Sequence, residues 1–391
     1  MHALIPFCTS IASHTFYQDF IEGLEDALAE LGHSSERFEF SEIGALSQSE
    51  LERFFAWARA TRCDLVIDLC CWGFALSRVR SWDGVGKAGA TIFDSLGARY
   101  AALMFDQPFF QPVAALISDS LVLCYPDRGH VDLIDSLYPS LRPRAMLFAP
   151  PATRPGNNRS PARWRDRNIP LLYAGNLAPD AIEPFWAEAP QRRLYDGVAE
   201  LIDARPETPL HRSIEEVQRS LDLTLTLEER LEAHRSLEYY LRHRLRHKVL
   251  TSLAACGLPI EVYGNGWEAV ALPANVHVHP AMNYQVYMGL IGSARTCLDT
   301  STYPDGANDR VVQFAVNGTL FFSNTQSYLR EAFGDAAEFY SPLDLAGAAD
   351  RIRELLARCG ELEERSARLR EVALERHLWR QRLESLFAAM P

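Results

Sequence analysis

Four polar residues crowd into one short stretch: Asp305, Asn308, Asp309 and Arg310, lying between apolar runs at 295–299 and 319–323. The stretch contains Gly306 and opens an amphipathic segment, so the pattern predicts strand, loop, helix and strand. The loop then sits at a helix N-terminus, where free backbone N–H groups and the helix dipole favour anionic ligands. Asp and Asn are also ordinary helix caps, so residue type alone leaves both an anion site and a plain acidic cap open.

Other chemistry-bearing residues follow apolar runs in the same way. Gly175-Asn176 follows 169–174, and Gly264-Asn265-Gly266 follows 260–263. Glycine there permits a tight strand-to-helix turn and also lets backbone approach a ligand. The cluster Arg242-His243-Arg244-Leu245-Arg246-His247-Lys248 reads as helical. Arg244 and Lys248 lie four apart and share a face, which serves either as a solvated basic surface or as a phosphate site. Tyr284 follows the strand-like run 276–279 and offers an aromatic ring beyond it. For a general base the candidates are His14, just past the first strand, and Asp106, at the end of another. His277 and His279 share one strand face, but the sequence shows no nearby Asp, Cys or third His, so they read as structural.

These positions need elements to hold them. An apolar run at 3–8, an amphipathic stretch at 16–31 closed by Gly32, and further strand-like runs at 37–40, 64–70, 100–105, 120–124 and 145–148 alternate with helical segments. Such alternation implies a parallel sheet covered by helices, with ligands beyond the carboxyl ends of the strands. Residues 151–168 are rich in Pro, Gly, Asn and Ser and read as a linker. A second alternation begins at 169, is interrupted by a charged helical insertion at 180–250, and closes in helix from 343 to 389. The expected plan is an N-terminal αβα domain at 1–150, the linker, a second domain at 169–370, and a final helix at 371–391 that returns to the first. Two such domains present their strand ends across a cleft, a favoured place for a ligand.

Composition bounds the function. The chain has 391 residues, 48% hydrophobic and 23% charged, an ordinary globular balance and too long for one typical core. No apolar run approaches the ~20 residues that span a bilayer, and the first residues lack a basic leader pattern. The eight Cys are scattered with no CxxC pair, which fits a reducing cytoplasm. A net charge of −12 argues against a nucleic-acid partner, while leaving room for a local basic pocket. No GxGxxG follows the first strand, so a dehydrogenase site there is disfavoured.

Taken in order, Tyr173-Ala174-Gly175-Asn176, Val262-Tyr263-Gly264-Asn265-Gly266-Trp267, Asp305-Gly306-Ala307-Asn308-Asp309-Arg310-Val311, Gly318 and His377-Leu378-Trp379-Arg380-Gln381-Arg382 resemble the family of the spore-maturation protein CgeB, within the glycosyltransferases of the GT-B fold. The resemblance covers the C-terminal half well and the N-terminal half chiefly through Phe105-Asp106-Gln107-Pro108. It implies two Rossmann-like domains, no metal or other cofactor, a nucleotide-sugar donor on the second domain, and a protein, glycan or lipid acceptor on the first. Donor-site residues by this resemblance are Gly175, Asn176, Gly264, Asn265, Gly266, Tyr284, Asp305, Asn308, Asp309, Arg310 and Gln313, with Arg244 and Lys248 as further cations. Related enzymes carry two Glu eight positions apart, the second on the nucleotide ribose. Here Asp305 and Gln313 have that spacing, so an uncharged amide stands where the ribose carboxylate is expected. An active transferase and a non-catalytic binding protein of the same fold both remain open on that point.

Overall fold

The computed structural model describes every residue except 12–14, 81–89, 117, 142, 155–161, 325 and 391. The chain divides into two units, Met1–Arg154 with His377–Pro391, and Pro155–Arg376.

The first unit holds six parallel strands: β1 His2–Cys8, β2 Ser34–Phe40, β3 Leu65–Leu69, β4 Arg99–Leu103, β5 Leu121–Tyr125 and β6 Ala145–Phe148. Its helices are α1 Thr15–Glu30, α2 Gln48–Ala60, α3 Phe74–Ser77, α4 Ile92–Leu96 and α5 His130–Leu137. The central strands β3 and β5 are buried along their whole length, as apolar runs covered on both faces must be. Helix α1 sets Tyr17, Phe20, Ile21, Leu24 and Leu28 into the core at helical spacing, and Gly32 ends it at φ +77°. Helix α2 starts at a Ser47–Glu50 capping box.

The second unit repeats the plan with β7 Ile169–Ala174, β8 Ile260–Tyr263, β9 Val276–His279, β10 Ala294–Leu298, β11 Leu320–Asn324 and β12 Glu338–Tyr340. Its helices are α6 Arg192–Ala204, α7 Leu210–Ser220, α8 Leu227–Ala255, α9 Tyr284–Ser293, α10 Asp309–Val316, α11 Ser327–Phe333, α12 Leu345–Ala357 and α13 Cys359–Arg376. The insertion is α6, α7 and the first part of α8, built on its own cluster of Trp186, Leu194, Tyr195, Val198, Ile214, Leu237 and Tyr240. Helix α8 runs five residues past the expected end at 250, because Leu253 and Ala254 continue its buried face.

The last helix, α14 Trp379–Ala389, belongs to the first unit. Trp379, Leu383 and Leu386 join the core formed by α1, and a methyl group at Gly23 of α1 would strike the Trp379 indole. Arg382 Nε donates to the Pro150 carbonyl and Thr153 N–H donates to the His377 carbonyl at 3.0 Å, fixing the return of the chain.

Strand order is β2-β1-β3-β4-β5-β6 in one sheet and β12-β11-β10-β7-β8-β9 in the other. Each sheet grows outward from its first strand in one direction and then in the other. The reversals fall between β1 and β3 and between β7 and β10. In open parallel sheets the crevice at such a reversal, beyond the strand carboxyl ends, is where ligands bind.

Candidate functional site

The reversal between β7 and β10 is occupied by charge. β10 exits at Asp299, which is wholly buried. Asn308 caps α10: its Oδ1 accepts from Val311 N–H at 3.3 Å and its Nδ2 donates to Asp299 Oδ1 at 2.7 Å. Ser323, at the end of β11, donates to Asp299 Oδ2 at 2.7 Å. Tyr340, at the end of β12, donates to the Asp299 carbonyl at 2.8 Å. One aspartate thus ties the exits of three strands to the start of a helix.

Arg310 completes this network. Its guanidinium lies 3.5 Å from Asp299 Oδ1 and donates to the Ala174 carbonyl at 3.2 Å and the Thr300 carbonyl at 3.3 Å. It therefore bridges the ends of β7 and β10, at the reversal. Burial works against its charge, but Asp299 with Tyr173 and Asp309 outweighs burial and holds its pKa above the ordinary value. With three protein acceptors already in place, Arg310 is first a scaffold residue, and 19% of its side chain remains exposed.

Helix α8 brings a second cation, in a different phase from the one expected. Arg244 turns to the insertion, pairing with Asp203 at 2.6 Å and with the Tyr240 hydroxyl. The face that reaches the strand ends carries Glu238, Arg242 and Arg246, each four residues apart, together with His243. Arg246 donates to the Asn176 carbonyl at 2.7 Å. Glu238 accepts from Arg242 Nε at 2.7 Å and from Thr302 at 3.0 Å, and its buried Oε2 has no partner among the described residues. His243 accepts from Ala178 N–H at 3.1 Å, and burial lowers its pKa to about 4, so it adds no charge near neutrality. Lys248 is half-buried, and its ammonium has no partner among the described residues.

The glycine turns have a plain steric cause. Gly264, at φ +157°, lies so close to Gly175 that a Cβ would strike the Gly175 carbonyl, and a Cβ on Gly266, at φ +88°, would strike the Leu177 carbonyl. Asn265 N–H donates to Asn176 Oδ1 at 2.9 Å, and Trp267 Nε1 donates to the Gly175 carbonyl at 2.7 Å. These glycines let two strand-exit turns pack backbone against backbone.

The remaining expected residues are distributed as follows. Asp309 opens α10 and accepts from Gln313 Nε2 at 3.0 Å. Gln313 is 1% exposed, and its Oε1 has no partner among the described residues. Asp305 is half-buried in the turn before the helix. Tyr284 is buried at the start of α9, with its ring 6.4 Å from that of Tyr287. Asp106 is exposed beyond β4, without a side-chain partner among the described residues, and His14 lies outside the described residues.

The β1–β3 reversal of the first unit differs in kind. Asp68, on β3, is wholly buried, accepting from Tyr100 OH at 2.7 Å and Gly73 N–H at 2.8 Å. No cation pairs with it among the described residues, and burial, outweighing the two hydrogen bonds, raises its pKa to about 7. Cys70 and Cys71, next along the chain, both hold φ +57°, a rare conformation for non-glycine residues. The described cysteines are all free thiols.

Sequence reasoning missed Asp299 and Glu238, and within the 242–248 cluster it singled out Arg244 and Lys248 rather than Arg246. For Glu238 and Arg246 the signal was present: Glu238 sits among the apolar positions of α8, and 238, 242 and 246 share one face. It also missed Glu261, which binds His277 at 2.8 Å and His279 at 2.6 Å across the β8–β9 pair. Among the described residues no group of three His, Cys, Asp or Glu is arranged to hold a metal.

Residues 242–388 match the family described as glycosyl transferase-like. No curated protein matches the sequence. Sucrose-phosphate synthase from Thermosynechococcus elongatus is similar in structure, at 12% identity over 99% of each chain and a TM-score of 0.57. So is an alpha-glucosyltransferase in complex with UDP and a 13-mer DNA, at 11% identity over 100% of this chain and 99% of that one, with a TM-score of 0.56. The likeness shows the fold, that of the GT-B glycosyltransferases.

Proposed function

We propose that this chain, a glycosyltransferase by its family match and fold, moves a sugar from a nucleotide-sugar donor to a hydroxyl of a protein, glycan or lipid acceptor, without a metal ion. The observation that carries the reading is the set of cations at the β7–β10 reversal: Arg310 on the Ala174 and Thr300 carbonyls and Arg246 on the Asn176 carbonyl. Sugar transfer leaves a nucleoside diphosphate, whose developing charge needs preorganised donors. Guanidinium groups and the N-terminus of α10 can supply them. In this reading Arg310 and Arg246 fix the strand-end loops and share their outer N–H groups with the diphosphate, while Lys248 supplies a mobile charge.

The proposed nucleotide side comprises Gly175, Asn176, Gly264, Asn265, Gly266, Asp305, Asn308, Asp309 and Gln313, with Tyr284 near the base. On the acceptor side Asp106 is the proposed general base, with His14 as its alternative. An exposed carboxylate at a strand exit can take a proton from an incoming hydroxyl, a role typically worth 10²–10⁴-fold in rate.

A second reading keeps donor binding but not turnover, and one observation favours it. The neutral amide of Gln313 is bonded to Asp309 inside the protein, where the resembling family places a ribose-binding carboxylate. Thermal shifts with UDP, GDP, TDP and CMP and their sugars, followed by transfer assays with and without EDTA, separate the readings. Stabilisation by one nucleotide with EDTA-resistant transfer supports the enzyme. Stabilisation without transfer to any acceptor supports the binding protein, and no stabilisation by any nucleotide would sink both.

A further inference from the structure

At the opposite end of the second sheet, where β7, β10 and β11 begin, a cavity of about 480 Å³ opens between the Trp164–Asp166 turn and α13. It lies wholly within the second unit and away from every strand exit. Its walls join two chain segments that are remote in sequence: one just after the unit's first residues, the other in its last helix.

The residues of the wall include two buried donors without a partner and two guanidinium groups without a carboxylate, among the described residues. Trp164 is 2% exposed, and its buried Nε1 has no partner among the described residues. Ser366 is 7% exposed, and its Oγ likewise has none. Arg167, 3% exposed, donates to the Ala162 and Ala294 carbonyls and to Thr319 Oγ1, each at 3.0 Å, but no carboxylate pairs with it among the described residues. Burial lowers its pKa, the mark of a cation without full compensation. Arg370 donates Nε to the Val316 carbonyl at 3.1 Å and also lacks a carboxylate partner among the described residues. Buried charges are ordinarily paired, and buried donors ordinarily bonded.

The rest of the lining limits what can enter. Leu374 and the Trp164 ring give an apolar wall, and Gly318 keeps one side open. Glu363, Glu371 and Glu375 stand on the same cavity and would repel a highly charged anion such as a phosphate ester.

We propose that this cavity binds a small monocarboxylate with an apolar body, its carboxylate received by Trp164 Nε1, Ser366 Oγ and the guanidinium groups of Arg167 and Arg370. The site is separate from the proposed donor pocket, and its occupation does not depend on the transferase reading. A carboxylate held there would bridge the Trp164 turn and α13, supplying an acceptor for Trp164 Nε1 and Ser366 Oγ and a counter-charge for Arg167 and Arg370.

Calorimetric titration of the full chain with 3-phenylpropionate, octanoate and the uncharged 3-phenylpropanol tests it. Saturable binding of either acid is expected, with the alcohol about tenfold weaker or worse, since it lacks the charge that the donors address. The tighter of the two acids tells whether a ring or a chain fits the apolar wall. Trp164→Phe keeps the ring and removes the N–H, and Ser366→Ala removes only the hydroxyl. Each is expected to weaken the acid about tenfold at an unchanged melting temperature without ligand. No binding of either acid at roughly millimolar concentration, equal binding of the alcohol, or unchanged affinity in both variants would overturn the proposal.

Discussion

The two sheet reversals bury one aspartate each and treat it in opposite ways. Asp299 of the second unit receives Asn308, Ser323 and the Arg310 guanidinium, so its charge is compensated and fixed. Asp68 of the first unit receives only Tyr100 and Gly73 N–H, and burial moves its pKa to about 7. The same topology thus makes a rigid, cation-bearing crevice in one place and a titratable neutral one in the other. The difference lies in what each carboxylate is given: a guanidinium and two side-chain donors at Asp299, one hydroxyl and one backbone N–H at Asp68.

The contrast breaks most sharply at Arg310. Arg310→Met strands Asp299 without its cation and should cost roughly 3–5 kcal/mol, read from urea melts. The double variant with Asp299→Asn should lose clearly less than the two single losses combined. Additive losses would show that the pair is not coupled.

Gly264→Ala should cost roughly 2–4 kcal/mol, since the new methyl meets the Gly175 carbonyl in a conformation that side-chain-bearing residues rarely adopt. Gly257, at φ +87° with nothing near its missing Cβ, provides the control. Gly257→Ala should lose less, and equal losses would assign the effect to backbone strain alone.

Asp68 makes a prediction in pH. With its pKa raised from 3.8 to about 7, the folded protein keeps this proton where the unfolded chain has lost it. Asp68 therefore costs stability above pH 7, and the cost disappears as pH falls through the window between those values. Asp68→Asn should gain roughly 1–3 kcal/mol at pH 8 and little at pH 4, measured as denaturant midpoints. A gain that is the same at both pH values would deny Asp68 the titration.

The smallest effect is expected at Lys248. Lys248→Ala should leave the melting temperature unchanged and weaken binding of the cognate nucleotide about tenfold, measured by calorimetry. Unchanged affinity would remove Lys248 from the donor site and leave Arg246 as the cation that α8 contributes.

Much of the fold was legible because both sheets are parallel and most of their strands are built on apolar runs, such as 65–67 and 320–322. Helix α9 is bounded by local signals, since Asn283 caps it and Ala294 already belongs to the next strand. The site was harder to read. Spacing four apart on α8 is satisfied by Arg244 with Lys248 and equally by Arg242 with Arg246. Only packing of the insertion turns Arg244 to Asp203 and Tyr240 and leaves Arg246 at the strand ends. The purpose of Gly264 could not be read locally, because the carbonyl that excludes a side chain there belongs to Gly175, 89 residues earlier, by the span that also separates the bonded Asn176 and Asn265. Asp299 was hidden by its place at the end of an apolar run, where a buried carboxylate has no periodic signature.

The placement of α14 in the first unit bears on how the protein is made. Trp379, Leu383 and Leu386 are needed to close a core whose other members end at Ala152. The ribosome therefore finishes the whole second unit before it supplies the helix that completes the first. At ~5–20 residues per second, roughly 220 intervening residues leave the α1 face uncovered for roughly 10–45 s. During that interval Phe20, Ile21 and Leu24 are open to chaperones, or to the same face of another nascent chain. Crowded expression should therefore penalise this protein before any weakness of the finished fold is felt.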